Sequence, residues 1–112
     1  ILTSDEEFGV SPEYENVFIA HSVNDVVELC NAFFYDKELF VIGGESIYRQ
    51  FMEQNLVDEM RLTIVKDDSD GDVFFPEYTE DDWYSYYKSM AQVSSLDGVE
   101  KSFYFEVLKK KI

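Results

Sequence analysis

Hydrophobic positions along this chain change their spacing several times, and each change marks a predicted element. Residues 5–16 (DEEFGVSPEYEN) scatter apolar side chains among acids and are broken by Gly9 and Pro12, the pattern of a surface loop. The short β-branched run at residues 17–20 (VFIA) reads as a strand. Ser22 stands at an N-cap position, with Asp25 three residues on, where a short acidic side chain reaches back to free amides. Behind it Val23, Val26, Val27, Cys30, Phe33 and Phe34 fall at helical spacing and present one apolar face. Asp36-Lys37 ends that pattern. Residues 39–42 (LFVI) are apolar without alternation, as expected of a central strand covered on both faces. Gly43-Gly44 stops the strand, and a second helix is predicted from Glu45 to about Glu53, with Ile47, Phe51 and Met52 inward.

From Glu59 to Val65 the alternation is clean, with Met60, Leu62 and Ile64 on one side and Arg61, Thr63 and Val65 on the other. Then come Phe74-Phe75-Pro76, the segment at Trp83 and a last strand from about Lys101 to Leu108, with Gly98 supplying the turn before it. Strand, helix, strand, helix and three further strands describe an α/β sheet with antiparallel pairing at its C-terminal end. No repeat, low-complexity tract or linker interrupts residues 1–112, which read as one domain.

Composition narrows the partners. Twenty-four acidic residues against nine basic ones give a formal charge of −15, so nucleic-acid backbones and anionic membranes would repel the chain. The single cysteine, Cys30, excludes an internal disulfide and a CxxC metal site; on an apolar helix face it reads as a small buried hydrophobe. The acidic run at residues 67–72 lacks the spacing and terminal Glu of a calcium-binding EF-hand loop and reads as a solvated turn. With no spanning segment and no signal segment at the start, a cytoplasmic location is the default expectation.

The most informative local feature is the passage from an apolar strand through Gly43-Gly44 directly into a helix. Glycines permit close backbone approach, and the first helical amides leave their N–H groups free, a combination suited to phosphate. Glu45 places a carboxylate at the same spot, which opposes an anion unless its side chain turns away. Read singly, Thr63 is a good strand former, Tyr48 a core aromatic and His21 a solvated loop residue.

The run from Phe40 to Phe51 (FVIGGESIYRQF) resembles the cofactor-binding strand, turn and helix of dihydrofolate reductase. Val57-Asp58-Glu59-Met60-Arg61-Leu62-Thr63, Gly71-Asp72-Val73-Phe74-Phe75-Pro76, Asp81-Asp82-Trp83 and the closing Phe103-Tyr104-Phe105-Glu106-Val107-Leu108 follow in the family's order. The resemblance implies a mixed, mostly parallel central sheet flanked by helices, with antiparallel C-terminal strands, incomplete in this chain. It implies NADPH as cofactor and dihydrofolate and antifolates as ligands. Gly43, Gly44, Glu45, Ser46 and Ile47 match the segment whose amides hold the cofactor pyrophosphate, the two glycines being joined by a cis peptide. Leu2, Thr3 and Ser4 match the strand end that meets the adenosine and its 2′-phosphate, with His21 and Gln50 near the adenine. Tyr48 would pack beside the nicotinamide, and Ile42 would line the pocket and accept a hydrogen bond from antifolates through its carbonyl. Thr63 would bond the catalytic carboxylate, and Gly71-Asp72 match the loop that holds the active-site lid closed.

None of the 112 residues matches the family's essential acid, lid loop or folate-pairing arginine. Together with a start at Ile1, without Met and inside an apparent strand, this leads us to expect an N-terminal segment upstream, a chain inactive by itself, and a sheet completed by that segment or by a second copy. Removing one strand would leave a slot of ~9–10 Å beside residues 39–42, too wide for backbone hydrogen bonds. Two alternatives remain open: a riboflavin-pathway reductase of the same fold, and a non-catalytic module that assembles with a separate N-terminal fragment.

Overall fold

In the computed structural model, which describes residues 1–67 and 71–112, helices form where the 3.6-residue spacing predicts them. The chain divides into two compact units, residues 1–42 and 43–112, taken in turn. The acidic run at 67–72 falls partly on residues 68–70, outside the described residues.

The first unit holds helix α1 (Val23–Phe33). Its N-terminus is closed as the sequence predicts: Ser22 Oγ accepts from the Asp25 amide (3.1 Å), and Asp25 Oδ2 accepts from the His21 amide (3.1 Å). Val23 is buried, Val26, Val27, Cys30 and Phe34 are half-buried, and Phe34 meets Phe18 edge to face at 5.5 Å. Phe33, expected inward, is exposed, because the apolar face ends at Cys30 and Phe34 while Phe33 turns outward in the last turn.

Two predicted strands of this unit do not form. Residues 17–20 contribute only a parallel bridge between Leu2 and Ala20, carried by Thr3 N to Ala20 O (2.9 Å) and Ala20 N to Ile1 O (2.8 Å). Residues 39–42 join no ladder in the described structure, and Ile42 is 90% exposed. An apolar run becomes a strand only when a neighbour takes its alternating N–H and C=O groups.

The second unit contains helix α2 (Glu45–Glu53) and strands β1 (Glu59–Lys66), β2 (Trp83–Lys88), β3 (Gln92–Leu96) and β4 (Val99–Lys110). The sheet order is β1-β4-β2, with β3 also on β4, and every pair is antiparallel. This corrects the expectation of a mostly parallel sheet. The segments that would supply parallel neighbours, 17–20 and 39–42, form no such ladder here, whereas short turns suffice for antiparallel pairs. Strand β3 (QVSSL) has no apolar alternation, which is why only three strands were expected after α2. Its partner comes from the turn: Asp97 and Gly98 both have positive φ (52° and 76°), the two-residue hairpin that joins β3 to β4.

The β1 alternation holds as read. Met60 is buried and Leu62 and Ile64 half-buried, while Arg61, Thr63 and Val65 are exposed. Met60 faces Leu108 across the β1–β4 pair, and with Trp83 they form the core against which Met52, Val57 and Leu62 pack. Helix α2 is fixed above this core by a Schellman closure: Leu56 N bonds Phe51 O (3.1 Å), Asn55 N bonds Met52 O (3.1 Å), and Asn55 takes φ 55°.

Leu108→Ala should cost about 2–5 kcal/mol of stability, since it opens the three-residue core. Val93→Ala, on an exposed strand position, should stay within about 0.5 kcal/mol. Urea unfolding of the two variants against the parent checks both values.

Candidate functional site

Helix α2 begins at Gly44 as N-cap, and no side chain bonds the amides of its first turn. Its first helical bond runs from Tyr48 N to Gly44 O (3.0 Å), which leaves the N–H groups ahead of it free for an external acceptor. The Gly43-Gly44 peptide is cis, as the resemblance implied. Gly43 has φ +118°, and a Cβ placed on it would lie 3.4 Å from Tyr48 Oη. A Cβ on Gly44 would meet nothing within 4 Å. One glycine is therefore required by the fold of the corner, and the other opens it to solvent.

The side chains of the first two turns are committed along the helix. Arg49 pairs with Glu45 Oε1, so the Glu45 carboxylate is drawn back toward the following turn. That removes the objection its charge raised against an anion at this end. Gln50 Nε2 donates to Ser46 Oγ (3.2 Å). Ile47 is half-buried and Tyr48 lies against Phe75, ring centres 5.3 Å apart; Phe75 in turn meets Tyr78 at 6.2 Å. Burial, with Glu106 and Tyr104 adding to it, pushes the Tyr78 phenol above its ordinary 10.0.

The sequence left Phe75 without a role toward Tyr48. Its signals were the Gly71-to-Pro76 motif in the family's order and an aromatic pair before Pro76 that follows neither helical nor strand spacing, and neither pointed to Tyr48. Thr63 sits on the exposed face of β1 opposite Phe105, and its hydroxyl has no hydrogen bond among the described residues. No described contact joins it to the glycine corner.

In the first unit the structure gathers Leu2, Thr3, Ser4 and His21. The Leu2–Ala20 bridge sets the strand end, and Thr3 O accepts from His21 Nδ1 (2.8 Å). That bond leaves Nε2 as the acceptor of the neutral ring. Thr3 Oγ1 accepts from the Asp5 amide (3.1 Å). Ile42 ends this unit as an exposed side chain.

Free main-chain donors at an open glycine corner suit an anion, and comparison with known proteins gives the class. The family model of dihydrofolate reductase matches residues 1–110. The chain is 34% identical over 83 residues to a dihydrofolate reductase of Staphylococcus aureus, covering 74% of this chain and 45% of that protein. It is 36% identical over 83 residues to the enzyme of Staphylococcus haemolyticus, with the same coverage. Over 72 residues it is 36% identical to the bifunctional dihydrofolate reductase-thymidylate synthase of Plasmodium chabaudi, covering 64% of this chain and 12% of that protein. The chain belongs to the dihydrofolate reductase family. It spans less than half the length of these relatives. Among the described residues, no helix is long and apolar enough to cross a membrane.

Gly43→Ala should lower stability by about 1–3 kcal/mol, because it holds a side chain at a φ that L-residues rarely adopt and presses it on Tyr48. Gly44→Ala should change stability by no more than about 0.5 kcal/mol; thermal melts of the pair test the contrast. The raised Tyr78 pKa also has a sign. The folded state holds this proton more tightly, so its contribution is fully present below the unfolded pKa and is lost as pH rises through the higher folded value. Urea midpoints should therefore fall above pH 10, and Tyr78→Phe should reduce that fall.

Proposed function

We propose that this chain is the cofactor-side portion of an enzyme that reduces 7,8-dihydrofolate to tetrahydrofolate with NADPH. The observation that carries the reading is the start of α2: free amides, an open approach at Gly44, and a Glu45 carboxylate held back by Arg49. These residues fit a diphosphate, which needs N–H donors, room beside the backbone and no competing anion. The family match along residues 1–110 supports folate chemistry over the riboflavin-pathway alternative.

In this reading the amides of Glu45, Ser46 and Ile47 hold the pyrophosphate of NADPH. Tyr48, braced by Phe75, forms the wall beside the nicotinamide. Leu2, Thr3 and Ser4 meet the adenosine with its 2′-phosphate, while His21, bonded to Thr3 O, and Gln50, fixed on Ser46, lie toward the adenine. Ile42 lines the pterin pocket. NADPH when bound supplies the hydride. Thr63 positions a carboxylic acid that assists protonation of the pterin, and we place that acid on a segment beyond these 112 residues. The same segment pairs with residues 39–42 and covers Ile42, so the chain alone does not turn over. A separate N-terminal fragment would serve equally; mixing the two pieces tests that arrangement.

The test is loss of NADPH absorbance with dihydrofolate, run on the complete protein and on the 112-residue chain. Activity is expected from the first and none from the second. Gly44→Ala in the complete protein should raise KM for NADPH by about tenfold or more, with its melting temperature unchanged. An unchanged KM would remove the cofactor assignment from this corner. Failure of the complete protein to bind methotrexate would return the choice to the riboflavin-pathway reductase.

A further inference from the structure

The second unit holds a cavity of about 720 Å³ bounded by α2, residues 74–79, Trp83 and Lys110. We propose that it is a ligand site beside the cofactor corner, and that its ligand is an organic cation with a flat apolar body. The volume suits a drug-sized molecule. Met52, Val57 and the buried Trp83 (7% exposed) make the apolar floor, and Phe75 and Tyr78 stand as aromatic walls. Aromatic faces attract cations as well as apolar rings.

Charge selects between ligand classes. Carboxylates outnumber cations four to two in the lining. Both cations are engaged: Arg49 pairs with Glu45, and Lys110 Nζ donates to Asn55 Oδ1 (2.8 Å). Among the described residues Glu53 and Glu77 have no hydrogen-bond or ion-pair partner, and Asp82 accepts from Thr79 Oγ1 (3.3 Å). An anion would enter against these groups and against the −15 of the chain, while a cation is drawn in.

A metal ion is the wrong occupant. No three His, Cys, Asp or Glu side chains among the described residues stand close enough to hold one. Carboxylates spread around an aromatic floor suit a charge carried on an extended frame, such as an amidinium or an alkylammonium on an aryl group. The site runs along the flank of α2 on which Glu45, Arg49, Met52 and Glu53 share one side, and it meets the anion corner at Glu45 and Phe75, whereas Ser46 and Gln50 bond to each other off the cavity lining.

Calorimetric titration of the complete protein with three probes of one shape tests this: 4-phenylbenzamidine (cation), 4-phenylbenzamide (neutral) and biphenyl-4-carboxylate (anion). The amidine should bind at least about tenfold more tightly than either of the others. Glu53→Gln combined with Glu77→Gln should weaken the amidine by about tenfold or more and leave the amide unchanged. Glu77→Gln alone, on an exposed loop, carries the test if the double variant does not fold. Equal binding of amidine and amide would overturn the proposal, as would amidine binding indifferent to these substitutions. Neither outcome touches the cofactor reading, whose test is KM for NADPH.

Discussion

Strand β4 is the constraint on which the second unit depends. Along one edge, eight of its twelve residues pair with β1, from Glu59↔Lys109 to Lys66↔Ser102. Its other edge is shared, with β2 on the C-terminal half and β3 on the N-terminal half. The handover falls at Phe105, whose carbonyl accepts from Ser89 N (2.8 Å) and whose amide donates to Ser89 Oγ (2.8 Å). One serine thus satisfies both backbone groups where neither strand reaches, and the ladder passes from β2 to β3 without an orphaned pair.

The glycine corner inherits its position from that sheet. The β1–β4 pair sets Met60 opposite Leu108, Trp83 joins them from β2, and Met52 of α2 packs on this core. The Schellman closure at Asn55 fixes where α2 stops, and Lys110 at the end of β4 donates to Asn55 Oδ1. A helix held at its C-terminal end by core and cap presents its first-turn amides in a defined place. An anion site made of main-chain donors needs that rigidity, since no side chain adjusts it.

Electrostatics divides the two sides of α2. At its start, the Arg49 pairing keeps the Glu45 carboxylate away from the free amides of a strongly acidic chain. Toward its end, Glu53 is joined by Glu77 and Asp82 around an aromatic cavity. One helix therefore offers donors to an anion at its tip and acceptors to a cation along its flank. Both follow from where side-chain charges find local partners and where they do not.

The sequence by itself determined what depends on local periodicity and capping. The α1 cap of Ser22 and Asp25, the span of α2, the two faces of β1, the turn at Gly98 and the glycine corner were all legible because each is decided within a few residues. The family order of motifs was legible for the same reason, and it agrees with the match over residues 1–110. Tertiary structure alone decided which apolar runs become strands. Residues 39–42 look like a buried strand, yet they join no ladder in the described structure, whereas the polar β3 is a strand because the hairpin turn delivers it to the open half of the β4 edge. Packing also decided that Glu45 turns to Arg49 and that Phe75 braces Tyr48, contacts that spacing cannot show because they depend on rotamers and on a loop returning to the helix. Hydrogen bonding in a sheet is non-local, so a segment's own pattern proposes a strand and only its neighbour makes one.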